Sequence, residues 1–333
     1  MKSVGLAILA AATAVALVSG AGAANRPLRV ALVLEPGMQT VPVGLASIEG
    51  LRNAVEAFGV SGRVVSASTK EPFTSTLARL ATQRYDLILP AGIVAQDATG
   101  KAAASFPRTK FGMLDVPIEW LKDRPRNVMG TEFRKEQAAF LAGYLAALTE
   151  KRRPGPDVIS SVAGAKFYAV DSLIAGYEAG ARRAVPGIKT LRGYSNSFDD
   201  PAKCKRVAQA QIAKGSHVVF QVAGRCGDGA LEAAKEKGVW GIGVDRDQSS
   251  LGPHILTSVV AGGKGEHVFR LVEALVKGRF HGGRNLVLNL RNDGVGLGVV
   301  SPRVPRDLLK RVEQVRRQIV SGSIRDIPTT VRS

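Results

Sequence analysis

The chain has 333 residues, 45% of them hydrophobic, with 46 Lys and Arg against 28 Asp and Glu, a formal charge of +18. That length and apolar content supply two cores and exclude a disordered chain. Aromatics at 5% beside 37 glycines argue against an aromatic-rich β-sandwich and for α/β layers built of small side chains.

The charge raises nucleic acid as a partner, but the basic residues are scattered over many predicted helices, and no helix-turn-helix, zinc-finger or RNP-like signature occurs. A solvated basic surface suited to anionic membrane or wall polymers accounts for it, and no nucleic-acid partner is expected.

In chain order, Met1-Lys2 gives a positive start, Val4 to Val18 an apolar run, and Ala21-Gly22-Ala23 a small-residue cleavage pattern. Residues 1–24 therefore read as a secretory signal peptide. The apolar core is too short for a comfortable membrane span, and nothing later approaches the roughly twenty apolar residues a span requires. The mature chain is expected in the periplasm or secreted.

From Leu28 strands and helices alternate. LRVALVL, RVVSA, DLILPA and TKFGML read as strands; VPVGLASIEGLRNAVEAF, PFTSTLARLATQ and IVAQDATGKAAASF read as the helices between them. RNVMG then leads into a long helix, Arg134 to Thr149, with Phe140, Leu141, Tyr144, Leu145 and Leu148 on its core face. After the basic, proline-containing break Lys151 to Pro156, alternation resumes: VISSVA, a helix over Phe167 to Ala184, IKTLRGY, and a helix over Pro201 to Lys214.

His217 to Gln248 forms one complete βαβ unit: strand to Ala223, glycine-rich turn Gly224 to Gly229, helix Ala230 to Lys237, strand Val239 to Val244. HILTSVV and NLVLNL, with a helix over Glu266 to Lys277 between them, and a terminal helix over Arg306 to Val320 complete the chain. Gly294 to Gly298 resembles a nucleotide loop in letters, but it opens no helix and reads as a turn within a late β-segment. The fold class is α/β with two lobes, each a doubly wound, mostly parallel sheet. In such sheets ligands sit beyond the carboxyl ends of the strands, which places Gly224, Arg225, Asp245 and Asp247 on the functional edge.

Enzyme constellations are absent: no G-x-S-x-G elbow, no H-E-x-x-H and no phosphate loop, while the four histidines are scattered. A non-enzyme with no cofactor and no metal is expected.

AG-x-x-G-x-G-A-L from Ala223 and IGVD-x-DQ from Ile242 resemble the basic membrane protein (BMP) family, nucleoside-type substrate-binding proteins of ABC transporters. NVMGTEFRKEQAAFLAGYLAAL (Asn127 to Leu148), SFDDPAKCK (Ser197 to Lys205) and HILTSVV (His254 to Val260) are similar to further family segments in the same order. The resemblance implies the periplasmic-binding-protein type I fold, with discontinuous lobes around a ligand cleft. The expected division is 25–127 plus 249–283 for the N-terminal lobe and 128–248 plus 284–333 for the C-terminal lobe.

It also implies site roles. Asp245 contacts a ribose, Phe198 stacks on a purine, and Asp115 bonds a base edge. From its own place beyond the same strand, Asp247 reads as a second acceptor for sugar hydroxyls or as a turn or cap residue. Where the family has an aspartate and a Phe-Asn pair after the first strand, this chain has Glu35-Pro36-Gly37-Met38-Gln39, so Glu35 or Gln39 supplies the polar edge and Met38 a softer apolar contact. The lysine the family places after LTSVV is Ala261 here, with Lys264 three residues on, and Gly20 stands where a lipid-anchoring cysteine would be.

The implied function is an extracytoplasmic solute-binding protein of an ABC importer taking a small polar, nucleoside-like ligand. The alternative is a ligand-sensing protein that reports to a membrane signalling receptor. The importer reading implies a monomer whose partners are a permease and an ATPase, and which meets the membrane only through them. Cys204 and Cys226, the only cysteines, are expected to pair in an exported chain, feasibly if the strands before them are adjacent; two separate buried thiols are the alternative.

Overall fold

In a computed structural model, residues 26–331 are described apart from 41, 69, 70, 263 and 264. The expected signal peptide and Lys264 lie outside the described residues.

The N-terminal lobe is a six-stranded sheet built from β1 (Arg29–Leu34), β2 (Ser61–Ser66), β3 (Leu87–Pro90), β4 (Lys110–Gly112), β5 (Val128–Phe133) and β11 (Arg284–Leu288), in the order β11-β5-β4-β3-β1-β2 and parallel throughout. Helices cover both faces, so the central strands are apolar at consecutive positions. Val30, Leu32 and Leu34 of β1 pack under α1 (Pro42–Phe58) and α8 (Glu266–Val276), while Ala31 and Val33 pack under α2 (Phe73–Thr82) and α3 (Gln96–Ser105).

The C-terminal lobe repeats the plan with β6 (Val158–Ala163), β7 (Lys189–Tyr194), β8 (Val218–Val222), β9 (Trp240–Asp245), β10 (Ile255–Ala261) and β12 (Val295–Leu297), ordered β12-β10-β9-β8-β6-β7. β12 alone is antiparallel. One face is covered by α4 (Lys135–Glu150), α5 (Tyr168–Ala184) and α9 (Arg306–Ser321), the other by α6 (Pro201–Ala213) and α7 (Gly227–Glu236).

The expected lobe boundaries are corrected at all three crossings. The chain passes between lobes after β5, after β10 and after β11, each one strand later than expected, because β5 and β11 belong to the first sheet and β10 to the second. A strand's own residues state that it is buried, not which sheet buries it, so the sequence marks the break only at the preceding loop. RNVMG conceals β5, and Val295–Leu297 is an edge strand rather than a turn. The crossings are tied together: Arg134 N donates to Leu288 O (2.8 Å), Leu290 N to Gln137 Oε1 (3.1 Å) and Gly262 N to Gly294 O (3.1 Å).

Candidate ligand-binding cleft

The two sheets follow one plan. Counted along each sheet, β4 corresponds to β9, β3 to β8 and β1 to β6. Gly92 after β3 (φ 88°) and Gly224 after β8 (φ 55°) each open a short 3-10 turn, Ile93–Ala95 and Gly224–Cys226, in a backbone region that only glycine enters freely.

On the N-terminal side, Glu35 follows β1 and is half-buried; a Cβ at Gly92 would lie 2.7 Å from its Oε1, so the carboxylate sits against the β3 turn. Gln39 does something different, because its amide donates to Ser66 Oγ at the end of β2 and ties the loop to the rim. Asp115 follows β4 and takes the left-handed conformation (φ 57°), which Asp tolerates better than most side chains. Its N–H donates to Thr131 Oγ1 (2.7 Å), whose hydroxyl donates in turn to Met113 O (2.9 Å), so the loop is anchored while the carboxylate stays 61% exposed.

On the C-terminal side, Asp245 closes β9, exposed and again left-handed (φ 66°). Behind it, buried Gln248 accepts from Val244 N (3.1 Å) and Gln221 Nε2 (2.8 Å), and its own N–H donates to Ser258 Oγ (3.0 Å). The glutamine of the D-x-DQ motif is therefore a brace for the strand end. Phe198 lies in the loop after β7 with its ring across Gly164, where a Cβ would overlap it. Phe167 meets it edge-on at 5.8 Å and 63°, and Phe198, Phe167 and Tyr168 all remain exposed.

The rest of the SFDDP motif builds the loop. Ser197 Oγ accepts from Asp200 N (3.0 Å), Asp200 Oδ1 caps α6 through Ala202 N (3.0 Å), and Pro201 takes the first helical position. Gly224 lies beneath Phe198, 3.3 Å from its carbonyl oxygen for an added Cβ, and Cys226 N donates to that oxygen (2.9 Å). Gly229 abuts the Pro201 backbone, so α7 begins at Gly227, three residues before the expected Ala230.

Asp247 carries local bonds. Its carboxylate accepts from Ser249 N (3.2 Å) and Ser249 Oγ (2.9 Å), capping the next turn, and it lines a cavity of about 700 Å³ with Leu290, Val295 and Leu309.

Sequence reasoning missed two residues at the floor. Lys135 opens α4, with Nζ 3.6 Å from Asp115 Oδ2 and 5.6 Å from the Phe133 ring. Burial acts to lower its pKa, but the carboxylates of Asp115 and Asp245 together outweigh burial and hold it above the ordinary lysine value. His267, in the first turn of α8, is buried against the edge of Phe133 (5.7 Å). Its Nε2 is 3.3 Å from Ser47 Oγ, and its Nδ1 has no partner among the described residues. Burial pushes its pKa down to about 4, with Lys135 adding to the effect and Asp115 opposing it, so the ring is neutral at pH 7. A cation at a helix start runs against the helix dipole, and that was the available signal for Lys135.

Paired doubly wound sheets joined by three crossings define the two-lobed fold of periplasmic-binding-protein type I. The chain belongs to the Bmp family, described as ABC transporter substrate-binding protein PnrA-like, whose model matches residues 28–328. It is 32% identical over 256 residues to basic membrane protein B of Borrelia garinii subsp. bavariensis, covering 76% of this chain and 72% of the relative. It is 31% identical over 276 residues to the ABC transporter nucleoside-binding protein BmpA of Lactococcus lactis subsp. cremoris, covering 78% and 76%. The fold is shared with an ABC transporter solute-binding protein from Aeropyrum pernix at TM-score 0.69 and 24% identity, covering 90% of this chain and 94% of that one.

Proposed function

We propose that this chain is the extracytoplasmic receptor of an ABC importer and that it closes its lobes over a small, uncharged, nucleoside-like ligand. The observation that carries the reading is the pair Asp115 and Asp245: two carboxylates at corresponding strand ends of opposite lobes, both exposed and both left-handed. Carboxylates so presented accept from ligand hydroxyls and N–H groups, and Phe198 offers a ring face to a planar base. Glu35 contributes a third acceptor from the N-terminal side. Gly224 allows close approach beneath Phe198, while Gln39 and Asp247 shape the neighbouring loops. The name of the Lactococcus relative, a nucleoside-binding protein, supports the ligand class. Partners would be a permease and an ATPase, met by the closed form of a monomer after export.

Calorimetry with adenosine, guanosine, inosine and free ribose tests the proposal. Binding of a nucleoside at one site per chain supports it, with ribose alone weaker. Saturating nucleosides that give no heat and no thermal shift would overturn the ligand assignment.

A further inference from the structure

Lys135 is oddly placed for a cation. It is the first residue of α4, where the helix dipole repels positive charge, and only 20% of its side chain is exposed. Its backbone belongs to the crossing from β5 to α4, so it moves with the joint between the lobes. Asp115, 3.6 Å away, comes from the N-terminal lobe. Asp245 comes from the C-terminal lobe and lies alongside Val260 in the β9–β10 register; two residues on, Gly262 packs on the Phe133 ring on which the ammonium rests. Of the nearby charges, Arg134 is paired with Glu136 (2.6 Å), and His267 is neutral.

We propose that Lys135 is a specificity-determining residue, a single ammonium that serves as shared counter-ion for Asp115 and Asp245 and so fits the closed cleft to uncharged ligands rich in hydroxyl or N–H donors. This rests on the cleft reading above and deepens it. Closing the lobes brings two carboxylates toward each other across a space that is losing water, and like charges there oppose closure unless a cation lies between them. That cation can come from the ligand or from the protein. With Lys135 already seated, one of the two negative charges is neutralised, so a cationic ligand gains less than it would from the bare carboxylates. Each carboxylate still has lone pairs to spare, because an ionised carboxyl group accepts at about four sites and one ammonium satisfies few of them. Neutral ligands with several donors then complete both carboxylates at once.

The test uses Lys135→Met, Lys135→Arg and the double variant Lys135→Met with Asp245→Asn, with Lys135→Gln replacing the Met variant if that one does not fold. Small-angle scattering of ligand-free protein at about 20 mM and 500 mM salt reads the counter-ion role directly, since salt screens exposed charges within a few ångströms at the higher value. The expected result is a wild-type radius of gyration that is insensitive to salt. Lys135→Met should be more open at low salt only, and adding Asp245→Asn should abolish that opening. In calorimetry with inosine, Lys135→Met should lose about tenfold or more in affinity and Lys135→Arg much less, while a diamine probe, putrescine, should bind Lys135→Met more tightly than the wild type. Identical low-salt scattering for Lys135→Met and wild type overturns the proposal whatever inosine does. Wild-type protein that ignores inosine and the other nucleosides counts against the nucleoside reading alone, and the scattering comparison still decides the role of Lys135.

Discussion

Asp115 and Asp245 lie at corresponding ends of two different sheets, Asp115 in the loop after β4 and Asp245 as the last residue of β9, each the third strand from its sheet's edge and each residue held at positive φ, 57° and 66°. Replacing Asp245 with Gly keeps a residue that suits this backbone while deleting the carboxylate, so the change separates ligand contact from strain. Stability should change by less than about 1 kcal/mol, since the relief of strain offsets the added chain entropy. Ligand affinity should fall by about 1.5–3 kcal/mol, the range for hydrogen bonds to a charged group. Melting curves and calorimetry on the same preparation check both halves. A large stability loss with unchanged affinity would reassign Asp245 to a structural role.

Phe198 makes a different test because it has two neighbours of its own, Gly164 beneath the ring and Phe167 at its edge. Phe198→Ala should weaken binding of a ring-bearing ligand by about 1–3 kcal/mol, with Phe198→Leu intermediate. Free ribose should be indifferent to either change. If ribose and nucleoside lose affinity equally, the ring positions the loop and does not stack.

The ordering of strands and helices was largely legible because both faces of each sheet are buried, so the central strands other than β5 read as short apolar runs. Gly224 and Asp245 were legible for a local reason: a glycine turn and a strand end are written in consecutive letters. Lys135 was not, because its meaning lies in Asp115, 20 positions earlier in sequence, and in the joint that brings the two together. The same limit hid the lobe membership of β5, β10 and β11, which is decided by pairing partners far along the chain. Asp247 shows the converse, since a second carboxylate in D-x-D looks like a ligand group in sequence and caps a turn in the fold.

His267 should make stability depend on pH in a definite window. Its folded pKa, about 4, lies below the ordinary value near 6.5, so between those values the unfolded chain binds more protons than the folded one. Stability from this group is then fully present above about pH 6.5 and is lost as pH falls toward 4, by about 3 kcal/mol in all. Glu136 and Glu150 act in the opposite sense, because burial raises both carboxyl pKa values and their stabilising contribution is lost as pH rises through them. The difference between wild type and His267→Gln isolates the histidine. Denaturant midpoints from pH 7 to pH 4 should fall more steeply for the wild type, and parallel curves would reject a buried neutral ring.

The disulfide joins Cys204 and Cys226, with Cα atoms 5.5 Å apart, but it does not do so across neighbouring strands as expected. β6 lies between β7 and β8, so the strands leading to the two cysteines are not adjacent. The bridge runs instead between the first turn of α6 and the 3-10 turn that precedes α7, two helices packed side by side on one face of the sheet. Both sulfurs are buried next to Ser195 Oγ, at 3.3 and 3.4 Å, and the Cys226 N–H holds the Phe198 carbonyl. The link therefore braces the loop that carries the aromatic face of the cleft. With a sequence separation of 22, the chain-entropy model gives it about 3 kcal/mol, and buried sulfurs should resist mild reductant in the folded state. The paired change Cys204→Ala with Cys226→Ala should lower the denaturant midpoint of the C-terminal lobe by a corresponding amount. It should also weaken binding of a ring-bearing ligand more than binding of ribose. Thiol titration of denatured, unreduced protein should find none, and two per chain would remove the bridge together with both consequences.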